Sequence, residues 1–486
     1  MTKKLNTVFA MVLLFAHLPA MAGDKAEPVI QLLSKAYNAD KLKSLNSIKI
    51  YDYNKSLWPG QDESPDLPDF WKLKETLLID FVKQRKSLLS WREVRTVTDF
   101  EQYISSKEGG RVYDLVYQKY FDDSWYNYKN TGRSIERSSD TLIAKQLLEN
   151  ADQLSFDGLA QFRGVEHYQV SLPLFGNSPH QILIDSRTGV IAKVTAKHAR
   201  VGELVYVFSN HKSKAGISYA RDLSYFVGGK ARKVSIYRNL DLNPDTQSAF
   251  QEPAGFSAWG KPAAPSAKGL RLLGHGVYLV GNGRSQSIFV EADDYFIASG
   301  GGRKLDKNYQ SLLAKTGSNK PLKYVVLPHH HTEHLQLIKP ALALNASIVT
   351  SSNALALINK TLGRDIGKEE LLLVDKEVAL GDVRILKLTT AHAAENLVLY
   401  LPKQKMLYSH DHFGTIYENG TARPFKDMKT FIGKVNELEL DIETYIDGRS
   451  PRLLSSKEVK SIIGRYKSPT CAKQYDVCQE GHIDSL

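Results

Sequence analysis

The hydrophobic period of this chain changes at one place, and that change limits what it can fold into. Up to residue 255 apolar side chains recur mainly at every second position, the period of half-buried strands. Beyond residue 269, short apolar runs alternate with amphipathic helical stretches. Between them lies FSAWGKPAAPSAKG, Phe256 to Gly269, rich in Ala, Pro, Ser and Gly and without any period; it reads as a linker. The 486 residues also exceed the ~100–200 of a usual domain. We expect two domains, 23–255 and 269–465, joined by 256–268 and followed by a tail, 466–486.

The first residues, MTKKLNTVFAMVLLFAHLPAMAGDK, read as a secretory signal peptide over 1–22. Lys3 and Lys4 precede the apolar run Val8 to Phe15, and Ala20 and Ala22 stand at the positions a signal peptidase reads. The run is shorter than the ~20 residues that span a bilayer, so no transmembrane segment is expected. The mature chain would begin near Gly23, secreted or in a periplasm. Two cysteines, Cys471 and Cys478, then suggest a disulfide that staples the tail; His482 alone does not make them a zinc site. The net charge of +11 is dispersed among 53 acids with no basic block, so no nucleic-acid partner is expected.

The first block opens with a helical pattern, PVIQLLSKAYNADKLKSL. Alternating stretches follow at Thr76–Val82, Ser87–Thr98 and Arg111–Tyr120. HYQVSLPLF and HQILIDSRTGVIAKVTAKH read as strands, the latter a hairpin turning at Asp185–Gly189. Three more strands follow from Glu203, with a turn at Gly228-Gly229. The expected architecture is α+β: a curved antiparallel sheet with one early helix. ILIDSRTGVIAKV, VFSNHKSKAGISYA and AFQEP resemble the periplasmic lipoprotein-carrier (LolA/LolB-like) fold over most of 25–255. That resemblance implies a hollow able to hold an apolar ligand.

In the second block, VVLPHHHTEHLQL ends an apolar strand run on a histidine cluster. Strand-end loops are where rigid scaffolds present ligands. Residues two apart in extended backbone point the same way, so His329 and His331 can face one metal. Glu333 and His334 would meet a second position. Downstream, His392 in TTAHAAENLVLYLP and Asp411 in MLYSHDHFG also stand at strand ends. Imidazoles and a carboxylate on separate strand-end loops suit zinc or iron.

This order resembles the metallo-β-lactamase superfamily over roughly 269–465. There a His-x-His-x-Asp-His motif is followed by a lone His, a bridging Asp and a last His. The resemblance implies an αββα sandwich with His329, His331, His334, His392 and Asp411 as metal ligands. Three departures stand out. Glu333 replaces the motif's Asp. Leu335-Gln336-Leu337 replaces a glycine-rich continuation. Gly448-Arg449-Ser450 replaces the loop of the last His, an alignment anchored by Ser455 and Glu458 as a helix-opening capping box. Arg449 stays protonated and cannot ligate. One firmly held zinc and a weak or absent second metal are therefore expected, with His410 or His412 as candidate replacement ligands.

The resemblance implies a metal-dependent hydrolase acting on a small-molecule ester, thioester or lactone. Asp411 would orient the attacking water, Glu333 would exchange protons, and Arg449 would bind an anionic substrate group. Two alternatives accompany this reading. One is a non-catalytic carrier of an apolar ligand with a pseudoenzyme domain. The other is a mononuclear iron oxygenase-type site built from His329, His392 and Asp411.

Overall fold

The computed structural model describes residues 23–175, 179–260, 269–281, 286–413, 422–449 and 452–479. The signal peptide expected over 1–22, most of the linker and His482 lie outside the described residues.

The first block is built on a 14-stranded sheet, two antiparallel meanders of six and seven strands with Ser257–Ala258 added at one edge. One runs from Ser47–Leu57 to Lys119–Asp123, the other from Ser155–Phe162 to Lys230–Leu242. They join where Ser47–Leu57 pairs antiparallel with Lys230–Leu242. The hairpin at Asp185–Gly189 shows why its sequence turns. Asp185 Oδ1 accepts from the backbone N–H of Arg187 and Thr188, each at 2.9 Å. Gly189 has φ +75, and a Cβ there would lie 2.3 Å from the Leu32 carbonyl oxygen.

Helices Gly23–Tyr37 and Asp140–Glu149 pack on this sheet through Val29, Leu33, Ile143 and Leu147 against Ile48, Leu77, Ile182 and Ile184. The Tyr37 hydroxyl donates to buried Asp140 at 2.9 Å, and Ala220 N–H donates to it at 3.0 Å. Both partners satisfy a carboxylate that would otherwise be costly to bury.

Four local expectations are corrected. The early helix breaks at Asn38, which adopts a left-handed conformation (φ 45) and caps a second short helix, Ala39–Lys43. The strand expected over Ser87–Thr98 ends at Glu93. The stretch Arg111–Tyr120 is two strands, because Asp114 Oδ1 accepts from the N–H of Val116 and Tyr117 and folds a turn between them. Helices at Arg133–Arg137 and Asp140–Glu149 were not anticipated. The second spans only ten residues and buries polar Asp140, Thr141 and Lys145 along with its apolar side chains, so its polar positions do not mark an outer face. Part of the linker is also structured: Ser257–Ala258 pairs parallel with Lys119–Asp123, and Trp259 is buried against Tyr117.

The second block has two sheets, of seven and six strands. Val277, Ile288, Ile297 and Val326 of the first meet Ile385, Leu399, Tyr408 and Ile446 of the second in a shared core. Helices Leu305–Thr316, Ile338–Ala343 and Leu355–Leu362 cover the outer face of the seven-stranded sheet. Lys426–Asn436 and Ser456–Gly464 cover the other. The result is a four-layer αββα sandwich. Gly363 ends its helix in the left-handed conformation, and Ser455 and Glu458 form the capping box.

The blocks meet through buried polar contacts. Arg423 pairs with both Asp99 and Asp114. Ala394 N–H donates to the Glu63 carbonyl at 2.9 Å, and Thr332 N–H to that of Gly60 at 3.1 Å. Cys471 and Cys478 form a disulfide, and Cys478 packs with Phe100 of the first block. Among the described residues no helix is long and apolar enough to cross a membrane.

Candidate metal centre

Strand Leu322–Val326 points its C-terminal end at the centre, and the chain leaves it through Leu327 and Pro328 into His329. His392 follows strand Val383–Leu388, and Asp411 follows strand Met406–Ser409. Both sheets of the sandwich therefore deliver side chains to one edge. Asp411 sits at φ +69, an uncommon conformation for a residue with a side chain and the kind of local strain found at functional sites.

One side-chain nitrogen from each of His329, His331 and His392 lies within 4.8 Å of the others. Within this trio each residue has one buried nitrogen without a hydrogen-bond partner: Nε2 of His329, Nδ1 of His331 and Nε2 of His392; both nitrogens of His330 and Nδ1 of His410 are also partnerless. The opposite nitrogens of the first two are committed. His329 Nδ1 is 2.8 Å from Asn396 Oδ1, and His331 Nε2 is 3.0 Å from the Asp62 carbonyl. Both partners are acceptors, so each committed nitrogen carries the proton and each free one presents a lone pair. Buried, unsatisfied lone pairs are costly, and a cation among them removes the cost. The donor set fits a zinc ion.

The tautomers propagate outward. Asn396 Nδ2 donates to His412 Nε2 at 2.9 Å, so His412 protonates Nδ1 and donates to Asp427 at 2.8 Å. The ring of His412 also stacks on Phe431 at 4.0 Å. His412 is thus occupied as a support for His329 and is not among the potential ligands. His410 Nε2 bonds to the Tyr408 hydroxyl at 2.7 Å, and His410 joins neither group of potential ligands.

A second group, His329, His334 and Asp411, overlaps the first. His334 Nε2 donates to Asp411 Oδ2 at 2.9 Å, and that oxygen lies 3.6 Å from Nε2 of both His329 and His392. Arg449 closes this side. Its Nε–H reaches Asp411 Oδ1 at 2.6 Å, and its Nη2–H reaches Glu333. Gln61 of the first block donates to the other oxygen of Glu333.

Burial, then the neighbouring His334, holds His329 well below the ordinary imidazole range. Burial, then His392, lowers His331 to about 2. Burial also disfavours the His392 cation, but the nearby Asp411 carboxylate outweighs it and raises that group. For Asp411 burial opposes ionisation, yet the hydrogen bond from His334, the nearby His392 and the charge of Arg449 keep it well below the carboxylate range. His329 and His331 are therefore held as neutral imidazoles beside an ionised Asp411.

The structure brings all seven sequence-derived residues together: His329, His331, Glu333, His334, His392, Asp411 and Arg449. Sequence reasoning missed Asn396, His412 and Asp427 as supports. It also missed the loop carrying Gly60, Asp62 and Glu63, and Arg95, which donates to the His392 carbonyl at 3.3 Å. Asn396 left a signal: it is the one amide side chain in the apolar run NLVLYL.

No protein-family model and no curated protein matches the chain. Several solved structures are similar to it. A metallo-β-lactamase from Hirschia baltica is 14% identical, with 40% of this chain and 96% of that one covered and a TM-score of 0.32. The metallo-β-lactamase FIM-1 from Pseudomonas aeruginosa in its mono-zinc form is 14% identical, covering 43% and 96%, TM-score 0.33. A metal-soaked Flv1 flavodiiron core from Synechocystis sp. PCC6803 is 16% identical, covering 40% and 60%, TM-score 0.33.

Proposed function

We propose that the chain is a metal-dependent hydrolase with one zinc held by His329, His331 and His392 beside Asp411, acting outside the cytoplasm on an ester, thioester or lactone. The observation that supports this most is the set of three buried, partnerless nitrogens converging from two strand-end loops. A zinc ion bound there supplies an acidified water and a positive pole for a carbonyl oxygen.

The protein's own groups do the rest. Asp411, kept ionised by its neighbours, accepts a hydrogen bond from the attacking water at Oδ2 and so aims it. Glu333 is the exposed acid of the centre and takes up or returns the proton of the leaving group. Arg449 takes the place of a second metal. Its charge holds both carboxylates in position and is available to a carbonyl oxygen that becomes negative. The Asp62 carbonyl and Asn396 fix the His331 and His329 rings.

A second reading has its own observation. Asp411 Oδ2 is equidistant, 3.6 Å, from Nε2 of His329 and of His392, an arrangement that also suits a two-histidine, one-carboxylate iron site. Metal analysis of chelator-free protein decides: about one zinc per chain supports hydrolysis, iron supports oxygen chemistry, and no metal supports a carrier. A hydrolase panel on wild type and His331→Ala completes the test. Equal hydrolysis by the two proteins sinks the catalytic assignment.

A further inference from the structure

The first block holds a cavity of about 1150 Å³, larger than the ~300–1,000 Å³ of ordinary ligand pockets. Side chains from seven of its strands line it, so the sheet curls around it. The cavity reaches the metal centre, because Gln61, Thr332 and Glu333 form part of its wall. Glu333 and Arg449 are the most exposed members of that centre, at 31% and 36%. A molecule entering from solvent passes them, and so borders the cavity.

The wall has two characters. Trp58 and Trp71 stack at 5.0 Å beside Gln61 and Glu333, and Tyr206 stacks on Tyr225 at 4.5 Å. Trp71, Ser56, Lys233 and Tyr225 are successive partners across the sheet. Three steps of ~4.8 Å place the two aromatic shelves roughly 14 Å apart. Near the tyrosines stand Arg133 and Arg137 of one short helix. Neither has a carboxylate partner among the described residues, and Nε and Nη2 of Arg137 are buried without any hydrogen-bond acceptor. Elsewhere in the wall Arg92 pairs with Asp99, Lys233 with Asp52, and Glu101 accepts from Tyr103, while Arg232 adds a third cation on the tyrosine side. Two adjacent unmatched guanidiniums repel each other and are costly to half-bury, a cost that a bound anion would relieve.

We propose that this cavity is the substrate chamber of the metal centre, and that it selects an amphiphile whose carboxylate or phosphate pairs with Arg133 and Arg137 while its apolar body lies along the stacked rings. The word substrate rests on the hydrolase reading; the binding does not.

The test is a titration of the full chain, followed by tryptophan fluorescence, since Trp58, Trp71 and Trp125 line the cavity. The probes are dodecanoate, dodecyl phosphate and uncharged dodecyl maltoside, all below their micelle concentrations. At least one anionic probe is expected to bind tenfold or more tighter than the maltoside, and the stronger of the two identifies the head group. Arg133→Gln/Arg137→Gln should erase that preference while metal content and maltoside binding stay as in wild type. If the pair does not fold, Arg137→Gln alone is read the same way, with a threefold or greater loss of preference expected. Equal binding of all probes, no binding, or a preference that survives the substitutions overturns the proposal. Anion-selective binding by a protein without metal would remove the hydrolase reading and leave the chamber. A metal-loaded hydrolase indifferent to the probes would remove the chamber alone.

Discussion

Arg449 donates its Nε–H to Asp411 Oδ1 at 2.6 Å. The same guanidinium also holds Glu333, so one permanent cation satisfies two carboxylates that would otherwise attract a second metal. Arg449→Ala should therefore raise zinc content from about one toward two per chain in zinc excess, and Arg449→His should bind the second ion more tightly still. Elemental analysis after gel filtration measures this. Stoichiometry unchanged in both variants would mean that the arginine is not what keeps the second position closed.

The chain of contacts from His329 through Asn396 and His412 to Asp427 predicts a loss of affinity without loss of a ligand. Asn396→Leu keeps the volume of the side chain but removes the acceptor that fixes the His329 tautomer. Zinc affinity should fall about 10–100-fold in a chelator competition. Wild-type affinity would show that packing alone orients the ring.

Glu75 gives a pH signature separate from the metal. Burial pushes it up to about 7, against an ordinary 4.5. Between those values the folded protein binds the proton and the unfolded chain has released it, so stability falls as pH rises from 4.5 to 7 and levels off above. The full effect is about 3 kcal/mol. Glu75→Gln should remove this slope and be the more stable protein at pH 8 in urea unfolding. Parallel curves for the two proteins would contradict the shift.

Arg423 ties the sandwich to the sheet through Asp99 and Asp114. Asp99 keeps Arg92, but Asp114 has no second cation among the described ion pairs. Arg423→Leu should cost roughly 3 kcal/mol, because a buried carboxylate is left uncompensated. A urea midpoint within error of wild type would show that the contact contributes little.

The candidate ligand set was legible in the sequence because each member is announced locally. Two histidines spaced by one residue follow an apolar strand, and a lone histidine and an aspartate each stand just past another. The αββα layering was legible because strand and helix periods alternate visibly from Gly269 onward. The supports were not, since their partners are remote: His331 and Asp62 are 269 residues apart. Nor was helix Asp140–Glu149, whose polar Asp140, Thr141 and Lys145 are buried against remote partners instead of facing solvent. The Ala- and Pro-rich stretch after Phe256 hid a packed Trp259, because composition describes a segment and not the single ring within it.

The Asp62 carbonyl has a wider consequence. It lets a loop of the β-rich half choose which nitrogen of His331 is free, so neither half is chemically self-sufficient. A genetic screen for impaired zinc uptake should then return lesions on both sides of the 261–268 stretch. Losing that loop's grip would leave an imidazole in the second half no longer told which way to face.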